Sequence, residues 1–217
     1  MKHVVYLHGF PSSAVSTKAQ MLAEKFAAHA DIQLHTPDLN VPSFETVTLT
    51  AMIVKTAQTI ADLAGEVVLI GSSMGGLTAL HFLDTQRDDA AQKVKAAVLM
   101  APALDVFADS GGEFSPEALA AWERDGYHTF PDYDRGGTLN VHYGLVEDLR
   151  RYNSYAVNLP QPLVIFHGTQ DDVVDSQQSV RYALDRPGVT LLLVDSDHRM
   201  LDQIDAVYAR VLGLFDA

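Results

Sequence analysis

The chain has 217 residues, enough for one domain with a sizeable core. Its 15 Lys and Arg stand against 28 Asp and Glu, a formal charge of −13, and it contains no cysteine. Disulfide frameworks, thiolate metal sites and cysteine nucleophiles are thereby excluded, and so acidic a surface disfavours nucleic acid and anionic membrane as partners.

The first apolar run, Val4-Val5-Tyr6-Leu7, is short and broken at once by His8-Gly9, so the N-terminus does not read as a signal peptide. No apolar stretch approaches the ~18 residues of a membrane span. The default expectation is a cytoplasmic protein. From there, short β-branched apolar runs alternate with longer segments of helical period. The strands are expected at His3 to Leu7, Ile32 to Thr36, Val67 to Ile70, Lys95 to Met100, Leu163 to Phe166 and Val189 to Val194. The helices between and after them are expected at about Ser16 to Ala30, Thr46 to Leu63, Gly75 to Thr85, Gln177 to Leu184 and Asp202 to Leu214. This order predicts an α/β domain over 1–217 with about six mainly parallel strands, covered on both faces by helices.

One connection breaks the rhythm. From about 105 to 159 the composition shifts to aromatic, Gly and charged residues, with a helix expected at Pro116 to Trp122 behind an N-capping Ser115, and a second helical segment at Tyr143 to Tyr152. An insertion of this size after a core strand reads as a lid or cap.

The segment that carries chemistry is Val67-Val68-Leu69-Ile70-Gly71-Ser72-Ser73-Met74-Gly75-Gly76-Leu77. It reads strand, tight turn, helix, and Gly71-x-Ser73-x-Gly75 is a nucleophile elbow that presents a serine hydroxyl at a helix N-terminus. A serine needs a base to take its proton and an acid to orient that base. After the strand at Leu163 comes His167-Gly168-Thr169-Gln170-Asp171-Asp172, and after the strand at Val189 comes Asp195-Ser196-Asp197-His198-Arg199-Met200. The chain order Ser73, Asp171, His198 suits a catalytic triad. Asp172 competes with Asp171 for the acid's role, and Asp195 and Asp197 lie near the base.

Together the elbow, His167-Gly168-x-x-Asp171 and Asp197-His198 resemble the α/β-hydrolase superfamily over essentially the whole chain. Tyr6-Leu7-His8-Gly9-Phe10, Ser12-Ser13, Lys18-Ala19-Gln20 and the elbow resemble the small bacterial YqiA-type esterases. Asn140-Val141-His142-Tyr143 and the C-terminal third resemble the mitochondrial α/β-hydrolase-domain thioesterase that removes acyl groups from protein cysteines. The resemblance implies a minimal α/β-hydrolase fold, without the usual leading antiparallel hairpin, and a serine esterase or thioesterase needing no metal or organic cofactor. It assigns Ser73 as nucleophile, His198 as base and Asp171 as its orienting acid, with the backbone N–H groups of Phe10 and Met74 as the oxyanion hole.

Other readings stand beside these. His8 and His167 each precede a glycine at a strand end, as a metal pair could, but no acidic cluster or His-x-x-x-His spacing accompanies them. Trp122, Tyr127, Phe130, Tyr133 and Tyr143 could line an acyl pocket or simply dock the insertion on the core. Arg150-Arg151 suits an anionic leaving group or a solvated helix face. The expected partner is a small-molecule acyl ester or thioester, and the −13 charge disfavours anionic acyl carriers. A serine peptidase and a spent, ligand-binding hydrolase fold are the alternatives. The sequence gives no indication of oligomeric state.

Overall fold

In a computed structural model that describes residues 1–86, 90–108, 112–131 and 136–216, the chain folds around one six-stranded sheet. The first part comprises β1 (Lys2–Leu7), α1 (Thr17–Phe26), β2 (Ile32–His35), α2 (Leu49–Ala61), β3 (Glu66–Ser72), α3 (Met74–Thr85) and β4 (Val94–Met100). An insertion follows, with α4 (Pro116–Asp125), β5 (Tyr127–Pro131), β6 (Thr138–His142) and α5 (Gly144–Leu149). The chain then returns to the sheet through β7 (Leu163–Gly168), α6 (Gln177–Ala183), β8 (Val189–Val194) and α7 (Ile204–Asp216). All six expected strands are present, and every pairing in the order β2-β1-β3-β4-β7-β8 is parallel.

Side chains alternate across each strand, and both faces are apolar because helices cover both. Val5, Leu7, Val67, Leu69, Ala97, Leu99 and Ile165 pack with residues of α2 and α3. Val4, Tyr6, Val68, Ile70, Val98, Met100 and Val164 pack with residues of α1 and α7. The helices begin where hydroxyl residues cap them. Ser16 accepts from Ala19 N–H, Thr48 from Ala51 N–H and Ser115 from Ala118 N–H, the last with Pro116 in the first turn. Among the described residues, no helix is long and apolar enough to cross a membrane.

Two expectations need correction. The run Val189 to Val194 is not covered on both faces: β8 is an edge strand, and Leu192 and Leu193 are exposed. The insertion is not purely helical either. Between its helices lies an antiparallel hairpin, β5 with β6, pairing Tyr127 with His142 through to Pro131 with Thr138. Each of these strands buries one residue, Phe130 and Val141, so neither carries the period-2 signature of a half-buried strand. The second helical segment shortens to α5, mainly at its far end, where Arg150 is the C-cap and Asn153 caps a separate short turn over Ser154–Ala156.

The strand order reverses direction at β1: β2 lies on one side of it and β3 on the other. In open parallel sheets the crevice beyond the carboxyl ends of the strands at such a switch point is where ligands bind. The ends of β1 and β3 carry Gly9-Phe10 and Ser73.

Candidate active site

Ser73 joins β3 to α3 with φ 52° and ψ −118°, a left-handed conformation that non-glycine residues rarely adopt. The turn is over-determined. Ser73 N–H donates to Met100 O at 2.9 Å, and Ser73 O accepts from Gly76 N at 2.9 Å and Leu77 N at 3.1 Å. The elbow glycines are required by close approach. A Cβ on Gly71 would lie 2.5 Å from Gly75 O, and one on Gly75 would lie 2.1 Å from Leu7 O. The result is a half-exposed Ser73 between buried Ser72 and Met74.

The loop after β1 lies directly against this turn, since a Cβ on Gly9 would come within 3.2 Å of Ser73 Cβ and 3.8 Å of its Oγ. His8 shapes that loop. Its Nε2 accepts from Leu39 N–H at 2.9 Å, so the ring hydrogen sits on Nδ1, which donates to Gly9 O at 2.9 Å. Gly9 O and Phe10 N–H belong to one planar peptide, so this bond also fixes the direction of the N–H. Among the described residues, neither Phe10 N–H nor Met74 N–H donates to a protein acceptor.

Asp171 and His198 meet beyond β7 and β8. His198 Nδ1 lies 2.8 Å from Asp171 Oδ2. The other carboxylate oxygen accepts from Val173 N–H at 2.9 Å and Val174 N–H at 2.8 Å. Burial alone would raise the Asp171 pKa. The hydrogen bonds from His167, His198 and Val174 outweigh it and hold the carboxyl well below the usual carboxylate range. An ionised carboxylate can only accept, so the His198 hydrogen lies on Nδ1 and leaves Nε2 as a free base. The two loops approach so closely that a Cβ on Gly168 would lie 2.2 Å from Ser196 O. Among the described residues, Ser73 Oγ has no hydrogen-bond partner, so the Ser73–His198 contact is open; such contacts often tighten only with substrate.

The competing carboxylates have other tasks. Asp197 Oδ1 accepts from Arg199 N–H at 2.9 Å and Met200 N–H at 3.1 Å, which places His198 inside a tight turn, while Asp195 binds Gln170 Nε2 at 2.5 Å. Asp172 is exposed. His167, named from the sequence only within the His167-Gly168-x-x-Asp171 motif and as half of a candidate metal pair, lies fully buried behind Asp171. Its Nε2 donates to Val174 O at 3.0 Å and stands 3.3 Å from Asp171 Oδ2, while Nδ1 pairs with Ser179 Oγ at 2.7 Å. Its place four residues before Asp171 was the available signal. With both rings so engaged, His8 and His167 are not arranged as a metal pair.

Among the aromatics named from the sequence, Trp122, Phe130 and Tyr143 are buried, and Tyr127 is half-exposed against His142. Trp122 packs on Phe130 and Tyr143, and Phe130 packs edge-on against Phe10 with ring centroids 5.1 Å apart. The cluster thus docks the insertion on the loop beside Ser73. Tyr133 lies outside the described residues. Arg150 Nη1 donates to Tyr143 Oη at 2.9 Å and Arg151 pairs with Asp148 at 3.0 Å, so both arginines are held by the insertion itself. A groove of about 490 Å³ between α1 and β2 contains none of these residues. A smaller cavity of about 90 Å³ is bordered by Leu77, Leu104, Phe107 and Tyr152, and starts one helical turn from Ser73.

Solved structures share this architecture. A protein from Agrobacterium vitis S4 superposes with a TM-score of 0.79 at 23% identity, over 98% of this chain and 87% of that one. Alpha/beta hydrolase domain-containing protein 10 from mouse gives 0.75 at 23% identity, over 99% and 89%. The monoacylglycerol lipase of Paleococcus ferrophilus gives 0.74 at 16%, over 97% and 92%. At these identities the likeness shows the fold, which is that of the α/β-hydrolases. No match was found among curated protein sequences. Residues 3–214, nearly the whole length, match the uncharacterised protein family UPF0227, and the chain belongs to that family.

Proposed function

We propose that the protein is a serine hydrolase that cleaves carboxylic esters or thioesters through an acyl-enzyme on Ser73. The observation that carries this reading is the buried, ionised Asp171 bound to His198 Nδ1 at 2.8 Å, on strand ends next to a strained serine elbow. Ser73 Oγ attacks the acyl carbonyl while His198 Nε2 takes its proton. Asp171 fixes the ring's tautomer and stabilises the imidazolium as it forms. The N–H groups of Phe10 and Met74 receive the oxyanion. Losing one such donor costs about 100- to 1000-fold in rate. The imidazolium then protonates the leaving alcohol or thiol, and water repeats the sequence to release the acid. The insertion acts as a cap whose aromatic cluster, Trp122, Phe130 and Tyr143, bounds the substrate side through Phe10. Solved relatives of the same fold include a protein named as a monoacylglycerol lipase and one named as an esterase, from Exiguobacterium antarcticum, in keeping with ester chemistry.

The test is turnover of p-nitrophenyl butyrate and a matched butyryl thioester, with fluorophosphonate labelling. Wild type should hydrolyse at least one substrate and take the label, and Ser73→Ala should do neither. Turnover and labelling that persist in Ser73→Ala would overturn the reading.

A further inference from the structure

Most of what holds the His198 turn comes from the turn itself or from the neighbouring end of β7. Asp197 binds the N–H groups of Arg199 and Met200, and Ser196 Oγ donates to Asp202 Oδ1 at 2.5 Å. From the β7 side, Gln170 N–H donates to Ser196 O at 3.1 Å. Met200 of the turn is buried in the core cluster that includes residues of α1 and α7, and among the described residues one hydrogen bond reaches the turn from a distant element. Lys18, in the first turn of α1, donates from Nζ to the carbonyl of Arg199 at 3.1 Å, linking residues 181 apart in sequence. The segment that leads into α1 is the one that carries Gly9 and Phe10. Lys18 therefore connects the oxyanion side of the site to the base side, with Ser73 between them.

We propose that Lys18 is a positioning residue, which holds the His198 turn at the separation from Ser73 and Phe10 N–H that acyl transfer requires. The proposal rests on the serine-hydrolase reading above. Ordering a long lysine side chain and stripping water from its ammonium both cost free energy, so a lysine needed only for solubility would stay in solvent. Here burial lowers its pKa to about 8. Arg199 acts in the same direction, while Asp197 and Asp171 oppose it. The amine is thus still mainly protonated at neutral pH, and its bond to Arg199 O is a charge-assisted one. Its partner is a single carbonyl rather than a bidentate acceptor, so a guanidinium N–H can take its place.

The experiment compares wild type, Lys18→Met and Lys18→Arg for kcat and KM on p-nitrophenyl butyrate, for the rate of fluorophosphonate labelling and for the thermal midpoint. Displacing a reacting group by a fraction of its proper distance lowers kcat, and Lys18→Met is expected to lose about tenfold to a hundredfold. KM and thermal midpoint should stay close to wild type, and Lys18→Arg should recover most of the lost kcat and labelling rate. A Lys18→Met kcat equal to wild type overturns the proposal, as does a loss confined to KM or to the thermal midpoint. Should Lys18→Met fail to fold, a Lys18→Arg variant that folds but lacks activity also overturns it. An inactive, unlabelled wild type overturns the serine-hydrolase reading and this proposal with it, whereas an active wild type matched by Lys18→Met removes only the role of Lys18.

Discussion

His198 turns Nδ1 toward Asp171 Oδ2 at 2.8 Å, and the second oxygen of the same carboxylate is already bound by the N–H groups of Val173 and Val174. One buried carboxylate thus serves two purposes: it shapes its own loop and it fixes the tautomer of the histidine in the turn after the next strand.

Those purposes separate in Asp171→Asn. An amide oxygen can still accept from Val173 and Val174, so the loop should keep its shape. The amide nitrogen facing His198 is a donor, which forces the ring hydrogen onto Nε2 and removes the base. A kcat about 10⁴-fold below wild type is expected, with an unchanged circular dichroism spectrum. Steady-state turnover of p-nitrophenyl butyrate measures it, and a near-wild-type kcat would remove Asp171 from the mechanism.

Two glycines should respond in opposite directions. At Gly75 a Cβ would stand 2.1 Å from Leu7 O and 2.6 Å from His8 O, both backbone atoms at the carboxyl end of the interior strand β1. Gly75→Ala is expected to cost about 3 kcal/mol or more, at the top of the range for overpacking. At exposed Gly213 in α7 nothing lies within 4 Å of the added carbon. Gly213→Ala should gain about 0.5–1 kcal/mol by helix propensity. Urea unfolding midpoints of the two variants distinguish the cases.

His81 gives the fold a dependence on acid. It is buried on α3 against Ser154 Oγ at 3.2 Å and the Tyr152 ring, and burial lowers its pKa from 6.5 to about 4, against an opposing pull from Asp84. The unfolded chain therefore binds this proton more readily than the folded one. Stability is complete above about pH 6.5 and is lost as the pH falls toward 4, by about 3 kcal/mol in all. Asp171, also depressed, adds its own loss only below its unfolded value of 3.8. Chemical denaturation between pH 4 and 7 should show the slope, and His81→Gln should flatten it.

Trp122 anchors the insertion. Its side chain is 1% exposed, its Nε1–H donates to Val141 O at 2.8 Å, and its ring meets Phe130 at 5.4 Å. Trp122→Ala is expected to destabilise by about 3–5 kcal/mol through the cavity it leaves. A change within about 0.5 kcal/mol, the usual range for surface sites, would show that the insertion is not held through this ring.

The strands and elbow could be read from the chain because their determinants are local. A parallel strand covered on both faces is a run of Val, Ile and Leu, as in Val67 to Ile70, and the elbow's Gly71, Ser73 and Gly75 are set by steric needs within one turn. The hairpin of β5 and β6 was hidden because each strand buries a single residue, so no alternation marks it.

Sequence alone determined the fold class, the serine at the apex and the late strands that had to supply an acid and a base. Motif spacing already favoured Asp171; only the tertiary structure joined it to His198, gave Asp195 and Asp197 other partners, set His167 behind it, packed Phe130 on Phe10 and carried Lys18 to Arg199. Periodicity and turn chemistry act over a few residues and leave their mark in composition. A hydrogen bond across 27 or 181 residues depends on where the sheet delivers two loop ends in space, and no local pattern encodes that.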